Sequence, residues 1–188
     1  MFVPVGDGIV LSPSFVGFHP TLYCWSPSET KPRLSIIDPM PQSLVKILIH
    51  VVFSTKNRAD LIPPEIEGGL FRYLHGIVEN NGSKLLLVNG TKNHIHLLIS
   101  LGKSVDISRL IGDLKRSSSV WIKEQGDYRD FYWQEGYGAF SVGQSQVPSV
   151  MKYIAKQKQH HSKRDFQSEF RGLLSKYQVD YDERYVWD

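Results

Sequence analysis

The 188-residue sequence predicts an α+β fold: a ferredoxin-like split βαβ sandwich, an antiparallel sheet with helices on one face plus extra C-terminal helices. Three observations predict it. Short apolar or β-branched runs alternate with longer stretches of helical periodicity, in the order β-α-β-β-α-β-α. Turn signals separate them at Asn81-Gly82 and Asn89-Gly90. A composition of 41% hydrophobic and 22% charged residues supplies a packed core and excludes wholesale disorder.

Leu44–Phe53 (LVKILIHVVF) has the length and β-branched content of a buried strand. Pro63 and Pro64 suit the first turn of a helix, in which Ile66, Leu70, Tyr73, Leu74 and Ile77 recur at helical spacing to about Asn80. Lys84–Val88 is a short strand. Asn89-Gly90 signals a hairpin turn into the next strand, His94–Leu101. Ser104 or Asp106 caps a second helix with Ile107, Leu110, Ile111, Leu114 and Ile122 on its apolar face, ending near Gly126. Phe131–Trp133 and Tyr137–Val142 read as short aromatic strands. A third helix spans about Val147 to His161, and a fourth covers Phe166, Phe170, Leu173 and Leu174.

The lone Cys24 excludes both a disulfide-stapled scaffold and a Cys-rich zinc site. No apolar run approaches the roughly 20 residues of a membrane helix, and the first residues lack the pattern of a signal peptide. The expectation is a soluble protein of a reducing compartment. A net charge of +3 is too small to name a partner. Seven of the ten prolines lie within residues 1–41, where they disfavour helices and sheet ladders. Residues 1–39 carry a net −1 and the remainder +4, from 20 basic and 16 acidic side chains. The composition changes at Met40. Residues 1–39 are therefore expected to be a Pro-rich N-terminal extension, not necessarily native, before a domain at 40–188. The alternative is an arm that packs on the domain through Phe15, Phe18, Tyr23 and Trp25.

His94-Ile95-His96 lies on a predicted strand, so both imidazoles share one face and can hold one metal ion. A solvated or hydrogen-bonded pair is the plainer alternative. Tyr153 and Gln157, four residues apart on a predicted helix, also share a face, with His160 and His161 near that stripe. Lys152, Lys156, Lys158, Lys163 and Arg164 surround them with positive charge. A tyrosine in such a field is placed to meet a phosphate; a packed, hydrogen-bonded ring in a solvated helix is the alternative. Lys115, Arg116 and Lys123, interleaved with Ser117, Ser118 and Ser119, are expected to form with the third helix a basic groove for backbone phosphates. Trp121, Tyr128, Phe131, Tyr132, Trp133 and Tyr137 offer stacking surfaces, at least half of them expected in core or subunit contacts.

These stretches together resemble the single-tyrosine HUH transposases of insertion sequences, which act on single-stranded DNA and include the REP-associated tyrosine transposases. The resemblance covers roughly residues 40–188. It rests on LVKILIHVVFSTKNR at 44–58, NHIHLLISL at 93–101, FYWQEGYGAFSVGQSQ at 131–146, VMKYIAKQKQHH at 150–161 and YDERYVWD at 181–188. Segment 1–39 has no counterpart, which favours Met40 as the natural start. The resemblance implies that Tyr153 is the nucleophile, that His94 and His96 bind the metal, and that Gln157 is a third, weaker ligand. It implies Mg²⁺ or Mn²⁺ as cofactor, single-stranded DNA carrying a hairpin as partner, and a homodimer whose tyrosine helix can complete the partner subunit's histidine site. It also implies a bacterial or archaeal cytoplasmic setting, with action at the nucleoid.

A free tyrosine has a pKa of about 10, so a cation and nearby lysines are needed to favour its phenolate. Attack on phosphorus then gives a 5′-phosphotyrosyl DNA and a free 3′-hydroxyl, which can later rejoin strands. The exchange requires no nucleotide cofactor, in keeping with the lack of a GxxxxGK[ST] loop. Two other readings compete: a non-catalytic single-stranded nucleic-acid-binding module, since the split βαβ sheet is also an RNA-binding platform, and a domesticated relative that cuts chromosomal hairpin repeats.

Overall fold

A computed structural model of the chain describes residues 43–161 and 165–187, together with the backbone of 2–5 and 8–11. Its strands are β1 (Phe2–Val5), β2 (Gly8–Leu11), β3 (Ile47–Ser54), β4 (Lys84–Gly90), β5 (His94–Leu101) and β6 (Gly138–Ser141). The helices are α1 (Pro64–Asn80), α2 (Ile107–Glu124), α3 (Val147–Ala155), α4 (Gln157–His160) and α5 (Phe166–Lys176). The strands form one antiparallel sheet in the order β1-β2-β4-β5-β3-β6. The expected α+β sandwich is present, with β5 and β3 paired at its centre along their full lengths, from Ile47 opposite Leu101 to Ser54 opposite His94. Pro4 lies in the edge strand β1, where a missing amide donor does least damage.

Strand alternation sorts the two faces. Ile49, Val51 and Phe53 of β3 and Ile95, Leu97 and Ile99 of β5 pack under α1 and α2 with Leu70, Leu74, Leu110 and Leu114, all buried. The odd-even partners turn the other way. Leu48 and Leu98 meet Val150 and Ile154 of α3, while Val52 and Phe140 meet Phe166, Phe170, Leu173 and Leu174 of α5. Both faces of the central strands are therefore covered, which is why they read as nearly continuous apolar runs.

Several local expectations are corrected. The first central strand starts at Ile47 and not Leu44, which is exposed. Asn89 and Gly90 are not a turn. They pair with His96 and Ile95 inside the ladder, and Thr91–Asn93 makes the turn. Asn89 is buried because its side-chain amide donates to the carbonyls of Ile154 (2.8 Å) and Ala155 (3.2 Å), tying β4 to the end of α3. Phe131–Trp133 forms only an isolated bridge, Trp133 to Thr55, because Phe131 and Trp133 enter the core. Ser118 is not on the solvated side of α2: its buried hydroxyl accepts from the Trp133 indole at 2.9 Å. The expected third helix is broken at Lys156 (φ −100°, ψ 16°) into α3 and α4. α2 and α3 lie against opposite faces of the sheet, so their lysines flank it and do not share one groove.

Candidate active site

The register of β5 brings His94 and His96 to the face covered by α3 and α5, both fully buried. Their outer nitrogens are set by neighbours. Nδ1 of His94 lies 2.7 Å from Oδ1 of Asn93, an acceptor, so Nδ1 carries the proton and Nε2 presents a lone pair. Thr91 Oγ1 lies 2.9 Å from the same Nδ1. Nδ1 of His96 is 2.9 Å from Nε2 of His50, a β3 residue on the same face. Burial, and then the neighbouring His96, push the His50 and His94 imidazoles well below their ordinary range, so both are neutral at pH 7.

α3 presents Tyr153 to these rings, 5.9 Å from His96 and 6.0 Å from His50 between centroids, both edge-on. Despite the helix break, Gln157 at the start of α4 reaches the same cluster and is fully buried. All four predicted groups meet within one chain. A fifth group was not foreseen. Glu169, from the first turn of α5, places its carboxylate among them. One oxygen, Oε1, accepts from the Tyr153 hydroxyl and from Gln157 Nε2 at 2.8 Å. The other, Oε2, accepts from His161 Nε2 at 2.7 Å and stands 3.6 Å from His94 Nε2 and 3.5 Å from His96 Nε2. Burial alone would raise the Glu169 carboxyl, but the hydrogen bonds from His161 and Tyr153 and the imidazole of His96 close by outweigh it and hold it well below the usual range.

The atoms left over fit a cation. Among the described residues, four buried side-chain polar atoms lack a hydrogen-bond partner, and three of them are His94 Nε2, His96 Nε2 and Gln157 Oε1. Such atoms are costly unless something electropositive meets them. His94, His96 and Glu169 offer ligand atoms within 4.8 Å of one another. Two imidazoles with oxygen donors suit a divalent first-row metal. A cavity of about 380 Å³ beside the site, lined by His50, Ser149, Tyr153, Glu169, Lys176 and Tyr177, gives access to the tyrosine.

The basic residues are placed less uniformly. Lys152 and Lys156 are exposed beside Tyr153, while Lys158 pairs with Glu67 of α1 at 2.8 Å. Arg116 is exposed, 3.4 Å from Asp113. Lys123 lies over the Tyr132 ring at 3.7 Å. Lys115 directs its ammonium to the carbonyls of Gln134, Glu135 and Gly136, 2.6–2.9 Å away, and burial lowers its pKa to about 8.

Residues 43–157 match the family model described as Transposase IS200 like. The chain belongs to the IS200-like transposase family. Transposases of the IS200 insertion sequence from Salmonella typhimurium and Salmonella typhi are each 28% identical over 114 residues, 57% of this chain and 74% of theirs. The fold of a Deinococcus radiodurans protein described as a transposase matches with a TM-score of 0.51 at 21% identity, over 62% of this chain and 95% of that one. A REP-associated tyrosine transposase bound to a REP hairpin gives a TM-score of 0.48 at 12% identity, over 61% and 68%. Family membership makes the chain a transposase, an enzyme of DNA strand transfer. The matched segment contains His94, His96, Tyr153 and Gln157 and ends before Glu169. Among the described residues no helix is long and apolar enough to cross a membrane.

Proposed function

We propose that this transposase cleaves and rejoins single-stranded DNA at hairpin-marked ends through a 5′-phosphotyrosine, with Tyr153 as nucleophile and a divalent cation held by His94, His96 and Gln157. The convergence of the Tyr153 hydroxyl with buried, unpartnered imidazole nitrogens is the observation that carries this reading. A bound Mg²⁺ or Mn²⁺ would polarise the scissile phosphate and stabilise charge on the departing oxygen. Tyr153 Oη forms the new bond to phosphorus and loses its proton. The P–O3′ bond breaks, and the 3′ oxygen leaves as a hydroxyl after taking up a proton. The packed helix α3 holds the phenol, so little orientational freedom is lost when DNA arrives. Lys152 and Lys156, exposed on the same helix and its end, would take backbone phosphates, with Arg116, Lys115, Lys123 and Lys158 as the remaining basic positions.

Residues 40–188 are proposed to carry the activity, with 1–39 as an extension. The test is incubation of the full chain with labelled hairpin oligonucleotides and Mn²⁺, followed by a denaturing gel beside Tyr153→Phe. A covalent protein–DNA band that needs Tyr153 and disappears with chelator is expected. DNA binding without any such band would instead support a non-catalytic binding module.

A further inference from the structure

We propose that Glu169 is a protein ligand of the divalent cation, a carboxylate brought by α5 that joins the ligand set to the nucleophile. The proposal rests on the metal-dependent reading above and deepens it. Two ligand atoms, each about 2.1 Å from one ion at octahedral or tetrahedral angles, stand roughly 3.0–3.4 Å apart. Glu169 Oε2 is 3.6 Å from His94 Nε2 and 3.5 Å from His96 Nε2, close to that spacing before any ion draws them in. Neither contact is a hydrogen bond, since both nitrogens lack a partner. At His94 the proton is committed to Asn93, so a lone pair faces a carboxylate oxygen. Two buried acceptors held face to face are relieved by a cation between them.

The carboxylate is also fixed in place. Asp165 caps α5 by accepting from Ser168 N at 2.7 Å, and Phe166 and Phe170 seat the helix on the sheet. Glu169, which falls between them in sequence, is on the buried side of the helix, only 6% exposed. A hard oxygen donor with full charge answers the weakness of Gln157, whose neutral amide is a poor ligand for Mg²⁺ or Mn²⁺. Because Oε1 bonds the Tyr153 hydroxyl, binding through Oε2 would place the phenol at a fixed position beside the ion.

The test measures Mn²⁺ binding by titration calorimetry, and the Co²⁺ absorption spectrum, for wild type, Glu169→Gln and His96→Ala. Glu169→Gln should bind Mn²⁺ at least tenfold more weakly and change the Co²⁺ bands. Wild-type affinity and spectrum in Glu169→Gln, with binding lost in His96→Ala, would overturn Glu169 as ligand and leave the histidine site standing. No Mn²⁺ uptake by wild type, or none lost in His96→Ala, would overturn the metal reading and this proposal together. A measurement on unmutated protein covers the case in which Glu169→Gln does not fold. In protein labelled with ¹³C-glutamate, the infrared carboxylate band should shift on adding Mn²⁺, and an unmoved band overturns the proposal.

Discussion

Asn93 and His50 touch no reacting atom in the proposed chemistry, yet they decide which nitrogen each site imidazole presents. Asn93 Oδ1, 2.7 Å from His94 Nδ1, fixes the tautomer that leaves Nε2 bare. His50 Nε2, 2.9 Å from His96 Nδ1, does the same for His96 when it accepts the proton. Asn93→Ala should therefore weaken Mn²⁺ binding by about 10- to 100-fold while every ligand remains present. Calorimetric titration checks this, and an affinity within twofold of wild type would show that the ring is oriented by packing alone. Lys115 is a contrasting case. Its ammonium holds three carbonyls of the 134–136 turn, so Lys115→Ala should lower thermal stability by about 1–3 kcal/mol. Equal melting of the variant and wild type would remove that structural role.

At the scale of elements, the β4–β5 hairpin sets the height of both histidines. A Cβ on Gly90 would come within 2.3 Å of the His94 carbonyl oxygen and 2.9 Å of an Ile95 side-chain carbon. Backbone cannot step aside as a side chain can, so Gly90→Ala should cost about 1–3 kcal/mol. It should also weaken metal binding, because it displaces His94. Unchanged melting and affinity would contradict the close packing of this strand pair.

The same hairpin shows what the sequence could and could not reveal. β5 was legible to the residue, since His94–Leu101 is an uninterrupted β-rich run flanked by polar residues, and its alternation put both histidines on one face. Asn89-Gly90 misled because a local turn preference lost to a tertiary contact, the bonds from the Asn89 amide to the end of α3. The sequence puts Gln157 beside Tyr153 on one helical face. Gln157 reaches the site after a helix break at Lys156, and not along one continuous face. Glu169 had no local signal beyond an acid in an amphipathic helix. Only the docking of α5 on the sheet brings it to His94 and His96, 75 and 73 positions earlier, and an acid flanked in sequence by Phe166 and Phe170 is the pattern that could have raised it. The tail packs on its own chain, through Arg171 to Glu183 at 2.7 Å and the Trp187 ring against Arg171 and Phe170.

For the whole molecule, the important property is that the candidate site closes within one chain. Tyr153 and Gln157 come from the helices on the second face of the sheet, the histidines from its centre, and Glu169 from α5. The Asn89 bonds to the end of α3 and the Ile154 core contact hold the tyrosine helix against its own sheet. Mixing His96→Ala with Tyr153→Phe should therefore fail to restore cleavage. Recovery of activity on mixing would mean that the tyrosine helix serves a partner's histidines, the arrangement that the family resemblance implies for dimers.

The most direct test of the account is the chemical identity of the attachment point. After reaction with a hairpin oligonucleotide and Mn²⁺, the adduct is trimmed with nuclease, digested with trypsin and sequenced by mass spectrometry. Cleavage after Lys152 and Lys156 releases Tyr153–Lys156 as one peptide. This peptide should carry a nucleotide 5′-phosphate on its tyrosine. A nucleotide on any other residue, with Tyr153–Lys156 recovered unmodified, would contradict it.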